Sequence, residues 1–98
     1  MITVHKQILT MADISMMIVP EGTKFLHVAM QRNVPHIWYH CDTFAPMVKR
    51  RIAVIGTGHP APYLDDKEDT LNAADYIGTL HTFDGELVFH VFAEKLPC

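Results

Sequence analysis

Residues 56–60 read Gly-Thr-Gly-His-Pro and follow directly on the apolar run Ile52-Ala53-Val54-Ile55. Two glycines around a hydroxyl, ahead of an imidazole, are residue types that can cradle an anion. Successive backbone N–H groups beside a glycine form a concave nest for negative charge. Thr57 adds a hydroxyl and His59 a donor, while Arg50 or Arg51 in the triplet Lys49-Arg50-Arg51 adds charge if the fold brings it near. A guanidinium grips a phosphate or carboxylate through two parallel hydrogen bonds. Trp38 and Tyr63 offer rings on which a base stacks, although such rings more often fill a core. The candidate ligand-binding set is therefore Arg50, Arg51, Gly56, Thr57, Gly58, His59, Trp38 and Tyr63. The plainer reading competes with it: Gly56 and Gly58 relieve the geometry of a strand end, and the basic triplet is a solvated strand start.

Sharper chemistries fail on context. A P-loop needs G-x-x-x-x-G-K-[S/T] opening a helix, and Pro60-Ala61-Pro62 forbids that helix. A dinucleotide fingerprint needs a third glycine and a βαβ unit, and position 61 is alanine. The histidines invite a metal reading without completing one. His36 and His40 are four apart, which in a strand is ~13 Å. His40 and Asp42 share a strand face, but Cys41 between them points away. His81 and His90 fall on the two arms of a hairpin around Asp84-Gly85, where they are expected diagonal and on opposite faces. Neither a metal nor a cofactor is expected. Catalytic residues are not expected either. Ser15 and Cys41 lie in apolar runs, and Asp65, Asp66, Glu68 and Asp69 sit together on a solvated loop. The enzyme alternative is a metal-dependent hydrolase built on His40, Asp42 and His59.

The elements that must position these residues read as strands. Thr3–Leu9, Ile14–Val19, Lys24–Gln31, His36–Asp42, Val48–Ile55, Tyr76–Phe83 and Leu87–Phe92 are short, β-branched or aromatic, and separated by turn chemistry. In Lys24–Gln31 the alternation sets Leu26, Val28 and Met30 on one face and Phe25, His27 and Ala29 on the other. In His36–Asp42 it sets Ile37, Tyr39 and Cys41 against Trp38, His40 and Asp42. The strand Val48–Ile55 starts basic and ends apolar, so its first half is expected exposed and its second half buried. Leu87–Phe92 is almost wholly apolar, which predicts burial on both faces or an interface on one. The stretch 56–75 is long and irregular, with room for one helical turn at 71–75 capped by Thr70. No segment sustains helical periodicity. The expectation is a single all-β domain over residues 1–98: a small antiparallel sandwich or partly open barrel of about seven strands.

Composition narrows the partners. A formal net charge of −3 argues against general nucleic-acid binding, which needs a basic surface to displace counterions. Hydrophobic residues at 49% and charged residues at 19% suit a folded domain rather than a disordered one. Two cysteines, Cys41 and Cys98, are read as free thiols in a reducing cytoplasm. No run approaches the ~18 apolar residues of a membrane span, and the N-terminal residues lack a leader pattern. Sheet edges need cover, and Leu87–Phe92 is rich in apolar surface, so a homo-oligomer, dimer or higher, is expected.

Five stretches carry a resemblance: PEGTKFLHV (20–28), IWYHCD (37–42), IGTGHP (55–60), YIGT (76–79) and LVFHVF (87–92). In this order they resemble a family of small β-rich proteins encoded mainly by bacteriophages and prophages. The resemblance implies a compact β domain and brings no established enzyme activity. The setting it implies, the cytoplasm of an infected host, suggests a non-catalytic binding protein. Such a protein antagonises a host defence system by sequestering a nucleotide signal or by capping an effector protein. The alternative is a structural or assembly component of the virion that acts through self-association.

Overall fold

The computed structural model describes residues 1–61, 64, 74–82 and 85–95. Seven strands follow one another: β1 (Ile2–Ile8), β2 (Ile14–Pro20), β3 (Lys24–Gln31), β4 (Val34–Asp42), β5 (Met47–Gly56), β6 (Asp75–Thr82) and β7 (Leu87–Ala93). They form two antiparallel sheets, of order β1-β4-β3 and β2-β5-β7-β6. The fold is all-β and sandwich-like, and the described residues contain no α-helix and no closed barrel.

The core lies between the sheets. Ile37, Tyr39 and Cys41 from β4 meet Ile52 and Val54 from β5, Leu80 from β6 and Val91 from β7. The alternation read for β4 therefore holds, and Cys41 is a buried free thiol. Each fully buried aliphatic side chain here contributes about 1.5–3 kcal/mol. A second apolar cluster lies on the opposite face of the four-stranded sheet, where Ala61, Leu64 and Ala74 pack over Ala53, Ile55 and Phe92.

Three strand expectations are corrected. In β3 the register shifts between Phe25 and His27. This bulge turns Phe25 inward (8% exposed) and Leu26 outward (45%), the reverse of strict alternation. In β5 the basic half is not uniformly exposed, because Arg50 points into the sandwich with Ile52 and Val54 and is 7% exposed. The apolar strand β7 lies between β5 and β6, a central position that suits the near-continuous apolar run LVFHVF. Leu80 opposes Phe89, His81 opposes Val88 and Thr79 opposes His90. That is the pairing a two-residue Asp84-Gly85 turn demands. It also puts His81 and His90 on the same face, correcting the opposite faces expected.

Two turns fix the ends of the sandwich. Thr23 N–H donates to the Pro20 carbonyl (3.1 Å), with Gly22 at φ 82°, the left-handed conformation that glycine adopts without steric cost. Arg32 and Asn33 connect β3 to β4 at φ 52° and 64°, the signature of a type I′ hairpin. The two sheets approach most closely at β3 and β6: a Cβ on Gly78 would lie 2.8 Å from Val28 Cγ2. Tyr63, the acidic residues Asp65, Asp66, Glu68 and Asp69, residues 71–73 of the expected helical turn and Cys98 lie outside the described residues, and Asp75, expected to end that turn, instead opens β6.

Candidate functional site

Alternation in β5 sends Lys49 and Arg51 to the outer face and Arg50 inward, opposite Met17 of β2. Arg50 thus enters the end of the sandwich, under the β2–β3 turn. Its Nη1 donates to the Thr23 carbonyl (2.9 Å) and its Nη2 to the Glu94 carbonyl (2.6 Å). The guanidinium carbon stands 5.0 Å from the Phe25 ring centroid, within cation–π range. Nε is buried without a partner. Desolvation draws the pKa of Arg50 below its ordinary value, while the negative charges of Glu94 and Asp75 act in the opposite sense. Arginine stays protonated under such a shift, so a cation stands at this end of the core.

A buried charge ordinarily has a counter-charge. None is bonded to Arg50: the Glu94 carboxylate accepts from Arg51 Nε (2.7 Å) and Asp75 sits 3.6 Å from Lys95. Beside Arg50 opens a cleft of ≈ 660 Å³, bounded by Thr23, Lys24 and Phe25 on one side and by Tyr76, Ile77 and Lys95 on the other. Its walls carry three cations, Lys24, Arg50 and Lys95, against one carboxylate, Asp75. The volume falls within the ~300–1,000 Å³ typical of small-molecule sites.

The other sequence candidates are dispersed. Gly56 lies six residues beyond Arg50 on β5, about 20 Å along an extended strand. The anion site joining the arginines to the glycine loop therefore does not assemble. Within that loop His59 N–H donates to the Gly56 carbonyl (3.0 Å), and Gly58 occupies the left-handed region at φ 82°. The His59 ring stacks over Gly56, with Nδ1 2.9 Å from where a Cβ would stand. Both glycines are thus accounted for by the turn. Arg51 lies on the outer face, paired with Glu94. Trp38 belongs to the other sheet, on its outer face, with the His27 and His36 rings 5.9 and 6.0 Å away. The hydrolase set divides likewise: His40 and Asp42 lie on β4 and His59 beyond β5. Among the described residues no three His, Cys, Asp or Glu side chains gather as metal ligands.

Two features escaped sequence reasoning. Lys24, Phe25, Tyr76 and Lys95 reach the Arg50 cleft from two strands, β3 and β6, and the segment after β7, and nothing local announces it. A chain of polar contacts also crosses the outer face of the four-stranded sheet. Thr57 Oγ1 is 2.8 Å from His90 Nε2, His90 Nδ1 is 3.1 Å from Thr79 Oγ1, and Thr79 Oγ1 is 2.5 Å from the Tyr76 hydroxyl. Both imidazole nitrogens are engaged by hydroxyls, which orients the ring.

The family model described as a domain of unknown function (DUF7352) matches residues 1–97, so the chain belongs to that family. No curated protein and no solved structure matches the chain.

Proposed function

We propose that this DUF7352 domain is a non-catalytic binding protein that captures a small anionic ligand in the cleft beside Arg50. The observation that carries the reading is a buried guanidinium without a bonded carboxylate, at the wall of a cleft whose other charges are mostly positive. Arginine has five N–H donors in a fixed fork, and two are committed to carbonyls here. A phosphate or carboxylate entering the cleft meets the remaining Nη donors and the ammonium groups of Lys24 and Lys95. The Phe25 ring borders the same space and offers an apolar face to a planar ring, so a nucleotide is the ligand class that fits both features. In the phage setting implied by the motif resemblance, that ligand is a nucleotide signal of host defence, removed by stoichiometric capture.

Thermal unfolding with mononucleotides, cyclic dinucleotides and inorganic phosphate tests this. A ligand at 100 times its Kd adds about 2.7 kcal/mol, which raises Tm by roughly 10–20 °C for a domain of this size. The double variant Lys24→Ala/Lys95→Ala alters exposed residues and is expected to keep the fold and lose the shift. No stabilisation by any of these anions, or an undiminished shift in the variant, removes the reading.

Self-association is a second reading, favoured by one observation. Met16 and Ile18, on the outer face of edge strand β2, are 57% and 54% exposed. Sedimentation velocity of the wild type and of Ile18→Lys distinguishes it: a dimer that the variant dissolves supports it, and a wild-type monomer removes it.

A further inference from the structure

The outer face of the three-stranded sheet combines exposed apolar residues, a row of rings and two cations. Edge strand β1 is inverted: Ile2, Val4 and Ile8 point outward and are exposed, while Thr3, His5 and Gln7 face the partner sheet. At the centre of this face His27, Trp38 and His36 form a row of flat rings with centroids about 6 Å apart. Next to the row lies an open depression of ≈ 460 Å³ lined by Lys6, Ile8, Gln31, Arg32, Val34 and His36. Two permanent cations converge there and no carboxylate lines it. Among the described residues of this face the one carboxylate is Asp42, and it is occupied by the Phe44 amide and the terminal amine. In a chain of net charge −3, this is a local reversal of sign.

The turn supplying one of those cations adds an independent observation. Arg32 sits at φ 52°, in the left-handed region that disfavours residues with a Cβ other than Asn and Asp. Asparagine or glycine forms the same type I′ turn with less strain. A strained backbone position that keeps a long cationic side chain is a mark of use.

We infer that this face binds single-stranded nucleic acid, with bases stacked on Trp38 and its flanking imidazoles and phosphates held by Lys6 and Arg32. Charge complementarity selects an anion. A row of planar rings beside the phosphate-sized charges selects a polynucleotide over an acidic peptide or a lipid surface, because stacking on an aromatic platform is what single strands offer and those partners lack. The surface is independent of the Arg50 cleft and shares no residue with it.

The chain has a single tryptophan, so its emission reports this face alone. The experiment titrates the protein into fluorescein-labelled dT12 and U12 and follows anisotropy together with Trp38 emission. The expected result is saturable binding with quenching of Trp38. Two phosphate contacts give a log–log salt slope of about −1.4, or roughly sevenfold weaker binding between 50 and 200 mM salt. Trp38→Ala weakens binding roughly 5- to 150-fold, and Lys6→Glu weakens it as well. Arg32→Asn weakens binding while leaving Tm unchanged or higher, which separates lost contact from lost fold. Lys24→Ala/Lys95→Ala leaves binding intact, so failure here and failure of the cleft are distinguishable. No anisotropy change at 50 mM salt overturns the inference. So does undiminished affinity in the Trp38 and Arg32 variants, or equal affinity for polyglutamate or for phosphatidylserine vesicles.

Discussion

Replacing Arg50 by methionine tests whether the buried cation holds the end of the sandwich together. Methionine matches the length of the stem and removes every donor. The Thr23 carbonyl, in a residue 1% exposed, loses its charged partner at 2.9 Å, and an orphaned buried acceptor costs about 1–3 kcal/mol. The Glu94 carbonyl is only partly buried and recovers water from the cleft, so its loss is about 0.5–1.5 kcal/mol. The cation–π contact with Phe25 is worth about 1 kcal/mol. Against these stands relief from burying a charge, which we take as about 1–2 kcal/mol because the guanidinium lies at the wall of an open cleft. The net is a loss of about 2 kcal/mol. Urea unfolding followed by far-ultraviolet circular dichroism reads it as a midpoint lowered by about 1–2 M at an m-value of 1–2 kcal/mol/M. A variant as stable as wild type, or more stable, would show that desolvation outweighs the two carbonyl bonds. Arg50 would then be held in the core at a net cost, which would strengthen the case for a ligand and refute a stapling role.

Two other perturbations have definite outcomes. Gly78→Ala sets a methyl 2.8 Å from Val28 Cγ2 and is expected to destabilise by about 1–3 kcal/mol; adding Val28→Ala relieves the clash, so the double variant loses less than the sum of the singles, by about 0.5–3 kcal/mol in a denaturation cycle. Asp42 has a depressed pKa, chiefly from the Phe44 amide and then from the terminal amine. A depressed acid stabilises the fold above its unfolded pKa, near 4, and that contribution disappears as pH falls through the folded value. A carboxyl-detected NMR titration is expected to show Asp42 ionised below the range of the other aspartates, and Asp42→Asn to flatten the acid limb of the stability curve.

Alternation alone sufficed where strands are regular. Ile37, Tyr39 and Cys41 are inside because every second residue of β4 is apolar and nothing interrupts the pleat. The same rule failed in β3, where a bulge after Phe25 exchanges the faces of Phe25 and Leu26; a bulge is set by the neighbouring strand and leaves no local mark. Arg50 was legible by parity, two residues before Ile52 and four before Val54, but its charge argued for solvent. Only the carbonyls of Thr23 and Glu94, remote in sequence, make its burial tolerable. The contact between Thr57 and His90 needed the strand order β5-β7-β6, which depends on long-range packing that no single segment encodes.

The close approach of β3 and β6 at Gly78 and Val28 also bears on how copies of this chain add to one another. It closes one flank, since the outermost strands of both sheets there shield each other from a newcomer. The remaining free edges, β1 and β2, share the opposite flank, bridged by Gln7 Nε2 donating to the Ile18 carbonyl. A second copy adding by strand pairing would therefore meet β1 or β2 on this one flank, where a twofold axis sets like edges against each other.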